Sequence, residues 1–218
     1  MHPASPFRST STILLFLKAP RCGDVKTRLA RHTDPERAVQ IYRALAERQC
    51  TQLPENSRIE IHYTPHDAAL EMHQWLGHRY EFYPQCEGTL GLRIERSVAA
   101  AFARGASSAV CIGGDCPMLD RAHFEQTAVA LENGYDVVFG PSEDGGYYLI
   151  GLNAPQPRLF QGIPWSAHNT LSRSLSKATE LGLRIKQLET LYDIDEITEL
   201  QRAIDAGRLP PDLMHEFD

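Results

Sequence analysis

Short apolar runs of strand length alternate with stretches of helical period along nearly all of this 218-residue chain, and few folds accept that pattern. Residues 12–17 form the first run, which reads as a buried strand. From Arg37 the period changes. Ala38, Ile41, Tyr42 and Leu45 recur at i, i+3, i+4 and i+7, which lays an apolar stripe along one side of a helix. Asp34 and Pro35 mark its start, as N-cap and first helical residue. Further strands are expected at residues 59–63, 80–83, 109–112, 137–139, 147–152 and 184–188, and helices at 67–76, 91–104, 121–132, 167–181 and 197–206. The helix over 91–104 gathers Ile94, Ser97, Val98, Ala101 and Phe102 on one face. Strands alternating with helices imply an α/β fold with a mostly parallel sheet and helices on both faces.

The length suits one well-buried core and is short for two domains. No linker or composition shift divides the chain, so residues 11–218 are expected as a single domain. Residues 1–10 are polar and rich in Ser and Pro, and are expected as a flexible arm. The net charge of -6 argues against a nucleic-acid partner, since such proteins carry a basic surplus to neutralise phosphates. No stretch approaches the roughly 20 apolar residues of a membrane span. The first apolar run is too short for a signal-peptide core and ends at Lys18. Cys22, Cys50, Cys86, Cys111 and Cys116 are odd in number and form no CxxC pair, which points to free thiols in a reducing cytoplasm. The histidines show no HExxH spacing, and there is no GxSxG elbow.

Four segments carry chemistry. Directly after the first strand, Lys18, Arg21, Lys26 and Arg28 cluster around Gly23, whose missing side chain lets backbone bend about a ligand. Lys offers phosphate a point charge and Arg a bidentate fork. Ligands of open α/β sheets lie beyond the carboxyl ends of strands, where this loop falls. The GxxxxGK[ST] spacing of a Walker loop is absent. The second segment ends a strand in Gly113, Gly114 and Asp115, leaving space for a ligand beside a carboxylate suited to a hard cation such as Mg²⁺. Asp120 is better placed than Asp115 to cap the next helix, and Pro117 makes Cys116 a turn position. The third segment, between two strands, places Asp144 before Gly145 and Gly146, where an acceptor or sugar could approach. Tyr147 or Tyr148 could stack on a ring while the other enters the core, and Trp165 could cover a ligand or pack. The fourth holds Asp193 and Asp195, on one side of an extended segment. Asp195 is the preferred second metal carboxylate, and the other aspartate is free to cap the last helix.

Together these segments resemble a bacterial family of glycosyltransferase-like proteins, allied to the molybdenum-cofactor and phospholactate guanylyltransferases. The resemblance rests on Lys18-Ala-Pro20 and Gly23-Asp-Val-Lys-Thr-Arg-Leu, on Gly114-Asp-Cys-Pro-Met-Leu, on Pro141 through Asp144-Gly-Gly-Tyr-Tyr-Leu-Ile-Gly-Leu, and on Asp193-Ile-Asp195. It implies a Rossmann-like glycosyltransferase-A fold, with a nucleotide-binding half over about 11–118 and an acceptor half over about 119–218. It also implies Mg²⁺ or Mn²⁺ near Asp115. Lys18, Pro20, Gly23, Lys26, Arg28, Gly113 and Gly114 would then bind the nucleotide. Asp144, Gly145, Gly146, Tyr147 and Trp165 would face the acceptor, and Asp115 and Asp195 would hold the metal. Glycosyltransferases of this fold usually show an Asp-x-Asp pair on the metal strand. Here Asp115 is followed by Cys116 and Pro117, which looks more like the nucleotidyltransferase branch.

The leading expectation is a metal-dependent transferase that moves a sugar from a nucleotide-diphosphate donor to a small acceptor, with Lys26, Asp115 and Asp144 as catalytic residues. The alternative is nucleotidyl transfer to a phosphorylated metabolite with release of pyrophosphate. A third reading is a nucleotide-binding protein without catalysis, because fold does not fix function.

Overall fold

The structure is a computed structural model and describes residues 11–214, so the arm expected over residues 1–10 lies outside the described residues. In chain order the main elements are β1 (Ser11–Lys18), α1 (Pro35–Gln52), β2 (Arg58–Thr64), α2 (Ala69–Leu76), β3 (Glu81–Pro84), α3 (Leu90–Ala103), β4 (Ser108–Gly113), α4 (Arg121–Glu132), β5 (Val137–Pro141), β6 (Tyr147–Leu152), α5 (Thr170–Glu180), β7 (Ile185–Gln187) and α6 (Ile197–Asp205). The seven strands form one sheet in the order β3-β2-β1-β4-β6-β5-β7. All neighbours are parallel except β6, which runs antiparallel to both β4 and β5. The expected α/β sheet with helices on both faces is what forms. The reversal of β6 is an addition that the strand pattern did not disclose. Among the described residues no helix is long and apolar enough to cross a membrane.

Alternation along β1 builds both halves of the core. Ile13, Leu15 and Leu17 point to one face and meet Tyr42 and Ala46 of α1, Met72 of α2 and Phe124 of α4. Leu14 points to the other, with Ile94 and Val98 of α3 and Ala178 of α5, and Phe16 packs at its margin. The stripe read along α1 is buried at Ala38, Ile41, Tyr42 and Leu45. Asp34 caps this helix, accepting from the Arg37 amide at 2.8 Å. Asp120 caps α4 and leaves Asp115 uncommitted to any helix. At α6 the cap is Glu196, whose amide donates to the Glu199 carboxylate at 2.7 Å. Neither Asp193 nor Asp195 is therefore a cap. Glu196 does the work because it is the residue that immediately precedes the first helical turn.

A third apolar cluster explains how distant segments meet. Leu29, just after the basic loop, is buried with Ile41 and Leu45 of α1 and with Ile194, Leu200, Ala203, Leu209 and Leu213 from the chain's end. Burying Leu29 and Ile194 together brings their neighbours Lys26, Arg28, Asp193 and Asp195 to one place. The end of β1 is fixed separately. The Tyr42 hydroxyl accepts from the Lys18 amide at 2.8 Å and donates to the Lys18 carbonyl at 3.0 Å. This satisfies both main-chain groups where the strand stops. Tyr42→Phe should leave the buried pair unsatisfied and lower stability by about 1–3 kcal/mol. Urea denaturation should show this as a lower midpoint at unchanged slope, and an unshifted midpoint would refute it.

Candidate active site

The carboxyl ends of β1 and β4 and the amino end of the reversed β6 converge on one edge of the sheet. A cavity of about 810 Å³ opens there. Lys18, Lys26 and Arg28 line it from the loop after β1, and Gly113, Gly114 and Asp115 from the end of β4. Asp144 reaches it from the β5–β6 turn and Asp195 from the segment before α6. Residues distant in sequence and singled out for their chemistry thus share one space.

Lys26 is the most enclosed of the cations, its side chain only 4% exposed. Its ammonium donates to the Ile194 carbonyl and lies 3.0 Å from Asp115 Oδ1 and 3.9 Å from Asp195 Oδ1. Arg28 Nη1 donates to Asp195 Oδ2 at 2.9 Å on the open side. Lys18, exposed on the rim, donates to the Asp24 carbonyl at 3.1 Å. Among the described residues only Lys26 and Ser166 are non-glycine residues with positive φ, at 46° and 57°. Both line this cavity, and sparsely populated backbone of this kind persists where surrounding contacts over-determine it.

Asp115 has two unlike oxygens. Oδ1 is buried, lies off the hydrogen-bonding direction of Lys26 and accepts no hydrogen bond. The side chain as a whole is 43% exposed, so the other oxygen faces the cavity. Among the described residues no three His, Cys, Asp or Glu are close enough to hold a metal ion by themselves. A hard divalent cation fits this donor set, because Mg²⁺ is typically held by one or two carboxylates and completes its shell with phosphate oxygens and water. The cavity-facing oxygen of Asp115, with Asp195 lining the same space, is the feature that suits it.

Asp193 lies deeper. Its Oδ2 accepts from the Ser142 hydroxyl at 2.8 Å. Burial pushes its carboxyl up to about 6, with Asp115 and Asp144 adding repulsion and with Ser142 and Lys26 opposing. Asp144 is exposed at the turn, where its Oδ1 accepts from the Gly146 amide at 2.8 Å. Its carboxylate shapes the turn and lines the cavity together.

Several expected residues take other roles. Pro20 and Gly23 do not line the cavity, and Gly23 simply follows a left-handed turn at φ 84°. Arg21 turns away to Glu71 at 2.9 Å and Asp67 at 3.4 Å. A Cβ on Gly145 would lie 1.9 Å from the His168 carbonyl oxygen, so its close neighbour is protein backbone and not substrate. A Cβ on Gly114 would meet Leu17 Cδ2 at 2.5 Å, which makes that glycine a packing requirement as well as a wall. Gly113 has nothing within 4 Å of a Cβ and alone of the pair leaves open space. Trp165 lies on Gly91 and against Tyr147, lining an apolar pocket beside the polar cavity. Both Tyr147 and Tyr148 line that pocket. Cys116 is buried in the core, where burial pushes its thiol far up.

Sequence reasoning missed Tyr42, Thr64, Gln85 and Arg93, which complete the polar cavity. Gln85 is the most ordered of these. Its amide nitrogen donates to the His62 carbonyl at 2.7 Å and approaches the Leu17 carbonyl at 3.4 Å. Two carbonyls on that side fix the amide's orientation, so its oxygen faces Arg93 Nη1 at 3.4 Å. The only signal for it is position, just past the end of a strand at the ligand edge.

Sheet order, the reversed β6 and the site at the strand ends give this chain the fold of the nucleotide-diphospho-sugar transferases and nucleotidyltransferases. It belongs to the family described as uncharacterized proteins conserved in bacteria (DUF2064), whose model matches residues 46–167 and so spans Asp115, Asp144 and Trp165. A protein from Desulfovibrio desulfuricans G20, provisionally named a nucleotide-diphospho-sugar transferase, is 29% identical and superposes with a TM-score of 0.86 over 95% of this chain and 91% of that one. A nucleotidyl transferase from Methanothermobacter thermautotroptrophicus is 18% identical, with a TM-score of 0.60 over 90% of this chain and 97% of that chain. The 4-diphosphocytidyl-2C-methyl-D-erythritol synthase of Anaerococcus prevotii DSM 20548 is 8% identical, with a TM-score of 0.59 over 92% and 97%. These last two likenesses are of fold. No match was found among curated proteins.

The half-buried Asp193 has a measurable consequence. Unfolded, the group titrates near its ordinary 3.8; folded, near 6. Between these values the folded chain holds the proton more tightly, so stability falls as pH rises through that window. Asp193→Asn keeps the shape and still accepts from Ser142. It should raise stability by about 1–3 kcal/mol at pH 7.5, a gain that fades by pH 4. Urea melts at the two pH values test this, and an equal effect at both would contradict it.

Proposed function

We propose that this protein is a divalent-metal-dependent nucleotide-diphospho-sugar transferase acting on a small acceptor. The observation that carries the reading is one cavity joining the Lys26–Arg28 loop to Asp115 and Asp195, with Asp144 facing it from the turn before β6. Residues of the first half, to about 118, would bind the nucleotide, and the second half would present the acceptor. Lys18, Lys26 and Arg28 would receive the diphosphate. Arg28 would exchange Asp195 for phosphate oxygens, freeing that carboxylate. A divalent cation, Mg²⁺ or Mn²⁺, held by Asp115 and Asp195, would compensate the charge that grows on the leaving diphosphate. The acceptor oxygen bonds to the anomeric carbon as the carbon–oxygen bond to the diphosphate breaks. The electron pair leaves with the diphosphate, and the acceptor's proton passes to Asp144. The free thiols suit a cytoplasmic enzyme.

Nucleotidyl transfer is the second reading, favoured by Cys116. Its thiol turns into the core, and Pro117 after it stands where the second carboxylate of an Asp-x-Asp pair would be. A phosphorylated metabolite would then attack the α-phosphorus of a nucleoside triphosphate and release pyrophosphate. Product analysis separates the two: nucleoside diphosphate supports the first and pyrophosphate the second. Binding with neither product would leave a nucleotide-binding protein without catalysis.

Two outcomes follow from the residues. Asp115→Asn should abolish the gain in nucleotide affinity that Mg²⁺ confers. Asp144→Asn, which can still accept from the Gly146 amide, should keep nucleotide affinity and lose transfer by about a hundredfold or more. Calorimetry and initial rates check both, and full transfer by Asp144→Asn would reduce Asp144 to a turn residue. The oriented Gln85 oxygen beside Arg93 supports a base that presents an N–H next to a carbonyl. UDP or GDP should therefore bind about tenfold tighter than ADP or CDP, the discrimination of one well-made hydrogen bond. Equal affinities for all four would remove Gln85 from base recognition.

A further inference from the structure

Beside the polar cavity a second one of about 260 Å³ runs between the sheet and α3. Its inner walls are Ile94, Cys111, Ile150, Tyr147 and Trp165. Its mouth is shared with the polar cavity at Phe16, Leu90, Gly113, Asp144, Ser166 and Ala167. Ile94, Cys111 and Ile150 are at most 6% exposed. The walls are held in place. Trp165 stacks on Phe160 at 6.4 Å and meets Tyr147 edge-on at 6.2 Å. Its indole lies against Gly91, where a Cβ would come within 2.2 Å. Phe16 stacks on His62 at 5.3 Å, and His62 Nε2 is itself 3.0 Å from the fully buried Glu60.

Several of the polar groups near this pocket are already engaged. The Thr170 hydroxyl is 2.7 Å from the carbonyls of Pro164 and Ala167. The Tyr148 hydroxyl donates to the Glu189 carbonyl. One oxygen of Asp193 is taken by Ser142, and Asp144 stands at the mouth. A sugar ring here would lose its hydration against largely apolar walls and regain few hydrogen bonds, at a cost of about 1–3 kcal/mol for each hydroxyl left unpaired. A hydrocarbon group loses nothing comparable and gains contact on all sides. A dry cavity of about 150 Å³ already accepts a benzene ring.

We propose that this pocket binds an aryl or compact alkyl group of the acceptor, with the nucleophilic hydroxyl held at the mouth beside Asp144. The acceptor class is therefore a hydrophobic alcohol. The proposal rests on the transferase reading above, which supplies the donor in the adjoining cavity.

The test uses the full chain and three probes: benzyl alcohol, glycerol and toluene, with UDP and GDP in Mg²⁺ titrated separately. Benzyl alcohol should bind at least about tenfold tighter than glycerol, by ligand-observed NMR. Ile94→Phe and Cys111→Met each fill the pocket from a position outside the polar cavity. Both should weaken benzyl alcohol at least about fivefold while nucleotide affinity stays unchanged. Asp144→Ala should weaken benzyl alcohol two- to threefold and leave toluene alone, since only the alcohol has a hydroxyl to lose. Equal binding of benzyl alcohol and glycerol, or benzyl alcohol indifferent to both filling variants, overturns the pocket assignment. If one filling variant fails to fold, the other and the glycerol comparison decide. Benzyl alcohol and toluene responding alike to Asp144→Ala overturns the orientation. Any of these results with nucleotide still bound leaves the transferase reading standing. Binding of no nucleotide overturns both.

Discussion

A lysine ammonium enclosed by protein ties this molecule together. Lys26 is nearly without solvent, and a charge in that position is costly unless it is paired and hydrogen-bonded. Its partners come from two places: Asp115 after β4, and the Ile194 main chain with Asp195 before α6. Satisfying one ammonium therefore fixes the loop after β1, the end of β4 and the approach to α6 relative to each other. The apolar cluster of Leu29 and Ile194 provides the driving force for that meeting, and the ammonium fixes its register. The left-handed backbone at Lys26 is the local strain this arrangement carries.

The ligand edge is divided into two environments. On one side are cations, carboxylates and the oriented amide of Gln85; on the other are rings and aliphatic carbon. Gly113 and Asp144 belong to both. The open backbone at Gly113 lets the two spaces meet, and Asp144 stands at the junction with one oxygen committed to its own turn. In the proposed reaction such a boundary would let a charged donor and a hydrophobic acceptor each keep its own kind of surroundings until they meet.

Much of this was legible from local pattern. The buried run of β1, the stripe of α1 and the caps Asp34 and Asp120 follow from period and capping chemistry, and all formed as expected. The basic loop and Asp115 were legible because strand ends are where α/β sheets expose backbone and charge. What could not be read locally was decided by long-range packing. Gly145 looked like a place for substrate, yet the neighbour that demands it is the His168 carbonyl. Gln85 looked like any loop glutamine until the carbonyls of Leu17 and His62 aimed it. Arg21 belonged to the cationic cluster in sequence and left it for Glu71 and Asp67. Pairwise charge partners tens of residues away leave no periodic trace.

The reversed β6 also sets an order of assembly. β5 and β6 are joined by a short turn and can pair as a local hairpin, whereas β1 must find β4 across a long stretch of chain. Local pairs close with little entropy cost, and distant ones close late. On a ribosome, Lys26 emerges long before the Ile194 carbonyl that holds it, 168 residues further along. The nascent chain can shape most of its sheet while the cationic loop is still loose. Its ligand edge is thus completed well after most of the sheet has been made, so a translation product that stops short of residue 194 lacks both the carbonyl that holds Lys26 and the apolar partners of Leu29 from the chain's end.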